Sequence, residues 1–122
     1  MMRKSEPKKT GPNKAPVKNI LRNLTSHEAF HFYIGIGKPT NKTATSLMDF
    51  VEKVRTVDVH SVEFHFQRQD FEKWLKDTVG DDQLSRRIGG IERKISGEAL
   101  RNEIVKIVKG RVDETKGART FV

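Results

Sequence analysis

The pentapeptide HEAFH at residues 27–31 is the motif with the most definite chemistry in this chain, because it matches the zinc-protease pattern HExxH. In such enzymes a helix presents two imidazoles to zinc and the glutamate activates a water molecule. Here the motif runs into the strand-like sequence FHFYIGI, on which His27 and His31 would lie apart along an extended backbone. No third ligand follows at a recognisable spacing. We therefore interpret both histidines as surface or strand-edge residues and predict no metal site and no cofactor.

The segment GIGKPT at residues 35–40 faintly resembles a phosphate-binding loop, since its glycines would let backbone N–H groups converge on an anion. Phe32 stands where the Walker pattern requires its first glycine, and Pro39 stands where it requires Ser or Thr. The next predicted helix also begins too late to direct its N-terminus at the loop. A hairpin turn is the preferred interpretation.

The segment FHFQRQDFEKWL at residues 64–75 concentrates aromatic rings that could stack on nucleobases. Stacking surfaces usually have basic neighbours, but the neighbours here are acidic: Glu63, Asp70, Glu72 and Asp77. We therefore assign the rings to the core, with Arg68 and Asp70 as a structural pair or cap and His65 as a hydrogen-bonded polar tip. No nucleophile, base and orienting group occur together, so we predict no catalytic residue and a protein that is not an enzyme.

A helix-turn-helix is a third candidate motif, with a first helix at Phe71–Val79, a turn at Gly80, and a second helix that exposes Arg86 and Arg87. The acidic pair at residues 81–82 stands at the start of the second helix, the end with which recognition helices approach DNA. Carboxylates there would repel phosphate, so sequence-specific DNA binding is the less favoured interpretation.

The net charge of +8 is concentrated at the two ends of the chain. Residues 1–20 hold six basic and one acidic side chain, residues 21–85 eight and ten, and residues 86–122 ten and five. This pattern is typical of proteins that contact nucleic-acid phosphate, DNA or RNA, without sequence specificity. The predicted contact residues are Arg3, Lys4, Lys8, Lys9, Lys14, Lys18, Arg86, Arg87, Arg93 and Lys94. Two alternatives stay open: a basic surface that only maintains solubility, and a protein-interaction or regulatory module that dimerises through the last helix.

Composition indicates one small domain in a reducing compartment. The chain has no cysteine, and no apolar run reaches the roughly 18 residues that a membrane span requires. The basic N-terminus is not followed by the apolar region of a signal peptide, so we expect a cytoplasmic protein. Residues 1–20 are rich in proline and lysine and predict a disordered basic arm, residues 21–114 a single globular domain, and residues 115–122 a frayed tail.

The first half of the domain predicts a hairpin followed by two helices. Residues 29–36 read as a strand, residues 40–44 as its return, and Ser46 as the cap of an amphipathic helix. Residues 57–66 alternate like a strand, but Asp58 could cap a helix there, and we favour the helix.

The second half predicts three further segments of helix. Asp70 is the expected N-cap of Phe71–Val79, which ends at Gly80, and Asp81 or Asp82 is the expected cap of the next helix. Ser96 opens the longest helix, whose apolar stripe comprises Leu100, Ile104, Ile107, Val108 and Val112. The fold class is therefore α+β, a mostly helical small domain of about four helices with a short N-terminal β-hairpin.

The chain resembles an uncharacterised family of small, mainly archaeal domains that occur alone and fused to other proteins. The resemblance covers about residues 29–90 and is carried by Phe30, Phe32, Tyr33, Ala44, Ser46, Leu47, Phe50, Phe64, His65, Arg68, Asp70, Phe71, Trp74, Leu75, Gly80, Asp81, Leu84 and Ile88. It implies a compact helical module with a small β element. It implies no activity, because the family has none assigned.

Overall fold

The computed structural model of the protein describes the backbone of residues 19–120 and the side chains of residues 19–117. The six basic residues predicted to form the nucleic-acid-binding arm lie outside the described residues, as do the last two residues of the chain.

A two-stranded antiparallel hairpin opens the fold. Strand β1 (Phe30–Gly35) pairs with β2 (Lys38–Ala44), and Gly35 lies opposite Lys38 at the turn. The turn needs a left-handed residue, which Gly37 supplies at a φ of 71°. The interpretation of residues 35–40 as a hairpin turn is thus confirmed.

Five helices follow the hairpin in the described part of the chain, where the sequence predicts about four. They are α1 (Leu47–Thr56), α2 (Val59–Arg68), α3 (Asp70–Lys73) with its continuation as a π-helical segment (Trp74–Val79), α4 (Asp82–Gly89) and α5 (Gly97–Thr120). The predicted α+β class is confirmed. Among residues 19–120, no helix combines the length and the apolar character that crossing a bilayer requires.

Local capping explains why three of the helices begin where the sequence predicts. Ser46 accepts a hydrogen bond from the backbone N–H of Asp49, Asp58 accepts one from His60, and Asp81 accepts one from Leu84. The helical alternative for residues 57–66 is therefore confirmed. Gly80, at a φ of 88°, ends the π-helical segment as predicted.

The prediction that Asp70 is an N-cap is wrong. Gln69 takes that position in the left-handed region, at a φ of 64°, and caps α3 with no side-chain hydrogen bond. Asp70 is the first residue of the helix, and its carboxylate bonds with His65 and Arg68 instead. The left-handed Gln69 places Asp70 inside the helix, where its carboxylate makes charge-assisted hydrogen bonds to the side chains of His65 and Arg68.

The apolar stripe of α5 is buried within the same chain. Leu100, Ile104, Val108 and Val112 are at most 1% exposed, Ile107 is partly buried against the same core, and α5 packs on α1, α2 and α4. The surface on which dimerisation through the last helix would depend is thus occupied by the core. Helix α5 continues to Thr120, past Glu114 where the sequence predicts that a frayed tail begins. The frayed tail stays a prediction.

Candidate nucleic-acid interface

Two of the four predicted contact residues in the folded domain lie on α4 and form ion pairs. Arg86 is exposed and contacts Asp82 at 2.8 Å, one turn earlier on the same helix. Arg87 forms a two-pronged pair with Glu114 of α5, at 2.8 and 3.1 Å. The Arg86 pair is a weak surface contact that a phosphate could replace, whereas the Arg87 pair joins two helices.

The other two predicted contact residues, Arg93 and Lys94, lie in the loop between α4 and α5. They differ in whether their side chains are bound within the protein. Arg93 donates to the carbonyl oxygen of Phe66 at 2.7 Å, and its guanidinium lies 4.3 Å from the centre of the Phe66 ring. Lys94 is exposed and has no ion pair or hydrogen bond to another described residue. Lys94 is therefore free to contact a ligand, while Arg93 stabilises the end of α2.

Arg93 belongs to a set of three arginines that bind the C-terminal carbonyls of other helices. Arg22 donates to Thr78 and Val79, at the end of the π-helical segment. Arg101 donates to Val54, Arg55 and Val57, at the end of α1. The last carbonyls of a helix lack partners within it and carry partial negative charge, so a guanidinium both satisfies and neutralises them. Some of the basic residues that give the chain its net positive charge therefore stabilise the fold.

Two lysines on α5 extend the set of available cations. Lys106 and Lys109 are exposed on the face opposite the apolar stripe, and neither pairs with another described residue. Helical spacing places both on the polar side of the last helix, whereas Arg101 and Arg111 fall beside the apolar stripe, one residue after Leu100 and three after Val108. Those arginines are engaged with carboxylates and carbonyls.

A cleft of about 370 Å³ lies between β1 and α2, and the sequence did not predict it. It is lined by Phe30, His31, Tyr33, Gly35, Ile36, Gly37, Phe64, His65, Arg68 and Asp70. The volume falls in the usual range of small-ligand sites, about 300–1,000 Å³. The only signal in the sequence was the alternation of β1, which directs Phe30 and Phe32 inward and leaves Tyr33 on the other face.

His65 forms the floor of this cleft, and both of its ring nitrogens are engaged. The backbone N–H of Tyr33 donates to Nε2 at 2.8 Å, so Nε2 must carry a lone pair. The proton of the neutral ring therefore lies on Nδ1, which donates to Asp70 Oδ2 at 2.8 Å. Arg68 Nε donates to the same oxygen at 3.0 Å. The predicted roles of His65 as a hydrogen-bonded polar tip and of Arg68 and Asp70 as a pair are confirmed.

Burial lowers the pKa of His65 below its ordinary value of 6.5, and the Arg68 charge adds to that effect while Asp70 opposes it. Since the unfolded chain takes up this proton near pH 6.5 and the folded chain resists it, the unfolded state binds more protons as the pH falls. The stabilisation is complete above that pH and is lost as the pH falls towards the folded-state pKa.

We expect the free energy of unfolding to decrease between about pH 7.5 and 5.5, where histidines but few carboxylates titrate. Urea unfolding of the wild type and of His65→Gln at several pH values measures this slope, which the variant should lack. His60→Gln is the control, because His60 is exposed and bonds only to Asp58. An equal slope in wild type and His65→Gln would contradict the lowered pKa of His65 in the folded protein.

The histidines of the HExxH motif do not form a helical pair. His27 lies in a turn, and His31 lies on β1 with Nε2 at 3.3 Å from the carbonyl oxygen of Ser26. Within the described residues, no group of three His, Cys, Asp or Glu side chains is placed to hold a metal ion. The geometry that a zinc protease needs is therefore not formed by these residues.

The hairpin, the five packed helices and the aromatic cleft together define a small α+β domain. The chain belongs to a family of unknown function (DUF5752), whose model matches residues 15–109. The resemblance to an uncharacterised domain family is thus confirmed, and the match extends beyond residue 90 into the last helix. Comparison with curated proteins gives no match, and comparison with solved structures gives none either.

Proposed function

We propose that the protein is a small, non-enzymatic basic binding protein of the cytoplasm that contacts the phosphate backbone of DNA or RNA without sequence specificity. The observation that carries the proposal is the charge distribution: net +8, with the excess confined to the first 20 residues and to the region after residue 85. Clustered lysines neutralise phosphates and release counterions, which drives non-specific binding. The archaeal distribution of the family stays an expectation.

The contacts within the folded domain indicate which of its basic side chains are available to bind phosphate. Lys94, Lys106 and Lys109 are exposed without a described partner, and Arg86 has only a weak surface pair. Phosphate can reach these four without breaking the fold. Arg87 and Arg93 contribute less, because each would have to leave a contact that joins two elements. The arm residues 3–18 therefore supply most of the binding.

The proposal of a non-enzymatic role draws support from His65, the buried titratable side chain of the cleft. A general base needs a lone pair within reach of a substrate proton. The Nε2 lone pair of His65 is occupied by the backbone N–H of Tyr33, and Nδ1 is engaged with Asp70. His65 is therefore better suited to hold β1 and α2 together than to transfer protons.

Neutralising the arm is expected to weaken binding to a single-stranded or duplex oligonucleotide by at least about a hundredfold at about 0.1 M salt, because each phosphate contact is lost with its counterion release. The variant replaces the six arm residues Arg3, Lys4, Lys8, Lys9, Lys14 and Lys18 by Gln. Fluorescence anisotropy of a labelled oligonucleotide measures the affinity.

The matched control replaces the five arm lysines by Arg, which keeps charge and length. It should bind like the wild type. Equal affinity of the Gln variant and the wild type would remove the arm from the proposal.

A protein-interaction module is the second candidate, and the end of the hairpin favours it. Ile36 is 81% exposed and Ile34 is 42% exposed, and Ile36 lines the cleft. Exposed apolar side chains beside a concave site are typical of protein contacts. Salt distinguishes the two functions, since added salt weakens phosphate binding but not the docking of an apolar partner.

A further inference from the structure

Three of the aromatic rings that line the cleft between β1 and α2, those of Tyr33, Phe64 and His65, lie next to one another. The centres of the Tyr33 and Phe64 rings lie 6.4 and 5.0 Å from the centre of the His65 ring, both edge-on to it. The Arg68 guanidinium lies 5.0 Å from the centre of the Phe64 ring. Aromatic faces and guanidinium planes are the surfaces on which proteins stack unpaired nucleobases.

The polar atoms of the cleft are only partly used within the protein. Asp70 Oδ2 accepts from both His65 and Arg68, while Oδ1 accepts no hydrogen bond from another described residue. The guanidinium of Arg68, which is half exposed, lies over the Phe64 ring, and its two Nη groups have no hydrogen bond or ion pair to a described residue. The cleft thus offers an acceptor for an exocyclic amino group and donors for a phosphate.

The acidic neighbours that argued against stacking in the sequence lie elsewhere in the fold. The Glu63 carboxylate accepts from the backbone N–H of Gly97 at 2.7 Å, at the start of α5. Glu72 Oε1 lies 3.7 Å from Arg93 Nη2, and Asp77 is exposed on the π-helical segment. Asp70 alone of the four lines the cleft, and Arg68 offsets its charge. The acidic side chains therefore do not argue against the stacking of a nucleobase on Tyr33 and Phe64.

We propose that this cleft holds one unstacked base of a single-stranded nucleic acid, with the base against Tyr33 and Phe64 and the adjoining phosphate at Arg68. The inference rests on the proposed function and deepens it, because it gives the protein a preference for single strands over duplex. A base paired within a duplex has both faces covered by its neighbours and cannot enter the cleft.

A 2-aminopurine base placed within an oligothymidylate tests the inference with the full-length protein. Its fluorescence is expected to be quenched on binding, because the base moves from weakly stacking thymines onto the rings of the cleft. Tyr33→Leu combined with Phe64→Leu keeps apolar bulk and the Tyr33 backbone N–H, and should abolish the quenching. It should also weaken binding about tenfold, the usual effect of losing one base-stacking contact.

The control is Met48→Leu, which changes an exposed apolar side chain on α1 outside the cleft. It should leave quenching and affinity unchanged, and circular dichroism should show all variants folded. Binding without quenching, or wild-type affinity in the double variant, overturns the cleft inference while the proposed function stands. Absence of any binding by the wild type overturns both. Displacement of the oligonucleotide by an equal concentration of adenosine monophosphate would make a free nucleotide the ligand and overturn the single-strand assignment.

Discussion

Raising the salt concentration from about 50 to about 200 mM is expected to weaken the binding of the full-length protein to nucleic acid by several hundredfold. The first 20 residues carry a net charge of +5. If they neutralise about five phosphates, the logarithm of the binding constant falls with the logarithm of salt with a slope of about −4.5. Anisotropy titrations at four or five salt concentrations give this slope.

The arginines that are bound within the folded domain are expected to add little to this slope. Arg22, Arg93 and Arg101 are bound to helix carbonyls, and Arg87 and Arg111 are bound to carboxylates. Their charges are compensated inside the protein whether or not nucleic acid is present. A slope much steeper than the arm and the available side chains Arg86, Lys94, Lys106 and Lys109 together allow would show that these contacts open on binding. A slope near zero would remove phosphate contacts as the driving term.

Replacing Arg111 by Met is expected to lower the free energy of unfolding by about 3–5 kcal/mol, because it leaves a buried carboxylate without its counter-charge. Asp81 is 3% exposed and caps α4 by accepting from the Leu84 N–H at 3.1 Å. Arg111 Nε donates to its other oxygen at 2.8 Å. This hydrogen bond raises the pKa of the Arg111 guanidinium, although burial opposes the shift. The pair fixes the start of α4 to α5.

Thermal unfolding measures the effect, and a loss of about 3 kcal/mol corresponds to a decrease in Tm of at least about 12 °C for a domain of this size. Arg87→Met is the matched control, since it breaks the exposed pair with Glu114 and should cost at most about 1 kcal/mol. The double variant with Asp81→Asn and Arg111→Met keeps a capping oxygen without a buried charge and should recover most of the loss. Equal effects of Arg111→Met and Arg87→Met would contradict the structural role of the buried pair.

Features set by local chemistry could be predicted from the sequence. Asp58 accepts a hydrogen bond two residues along the chain, which resolves residues 57–66 as a helix. Gly80 adopts a left-handed conformation that most residues avoid, and so it ends a helix. The position of Asp70 could not be predicted in the same way. Its carboxylate accepts a hydrogen bond from His65. The His65 ring is held in turn by the backbone N–H of Tyr33 on β1, which is distant in sequence.

The candidate site was less predictable because long-range contacts decide which charges are available. Arg93 and Lys94 are neighbours in sequence, yet Arg93 is bound to α2 and Lys94 is exposed. Phe64 and Phe66 lie two residues apart, yet Phe66 is in the core and Phe64 lines the cleft. From the sequence we assigned both rings to the core. That assignment holds for Phe66, Phe71 and Trp74, while Phe64 is only partly buried.

The most direct test of the proposed phosphate contact is the salt dependence of binding, compared between the wild type and the variant with six arm residues replaced by Gln. We expect a slope of about −4.5 or steeper for the wild type and a slope shallower by about 4.5 for the variant, which keeps only the contacts of the folded domain. Indistinguishable slopes for the two proteins, or no binding by the wild type at about 50 mM salt, would contradict the proposed phosphate contact.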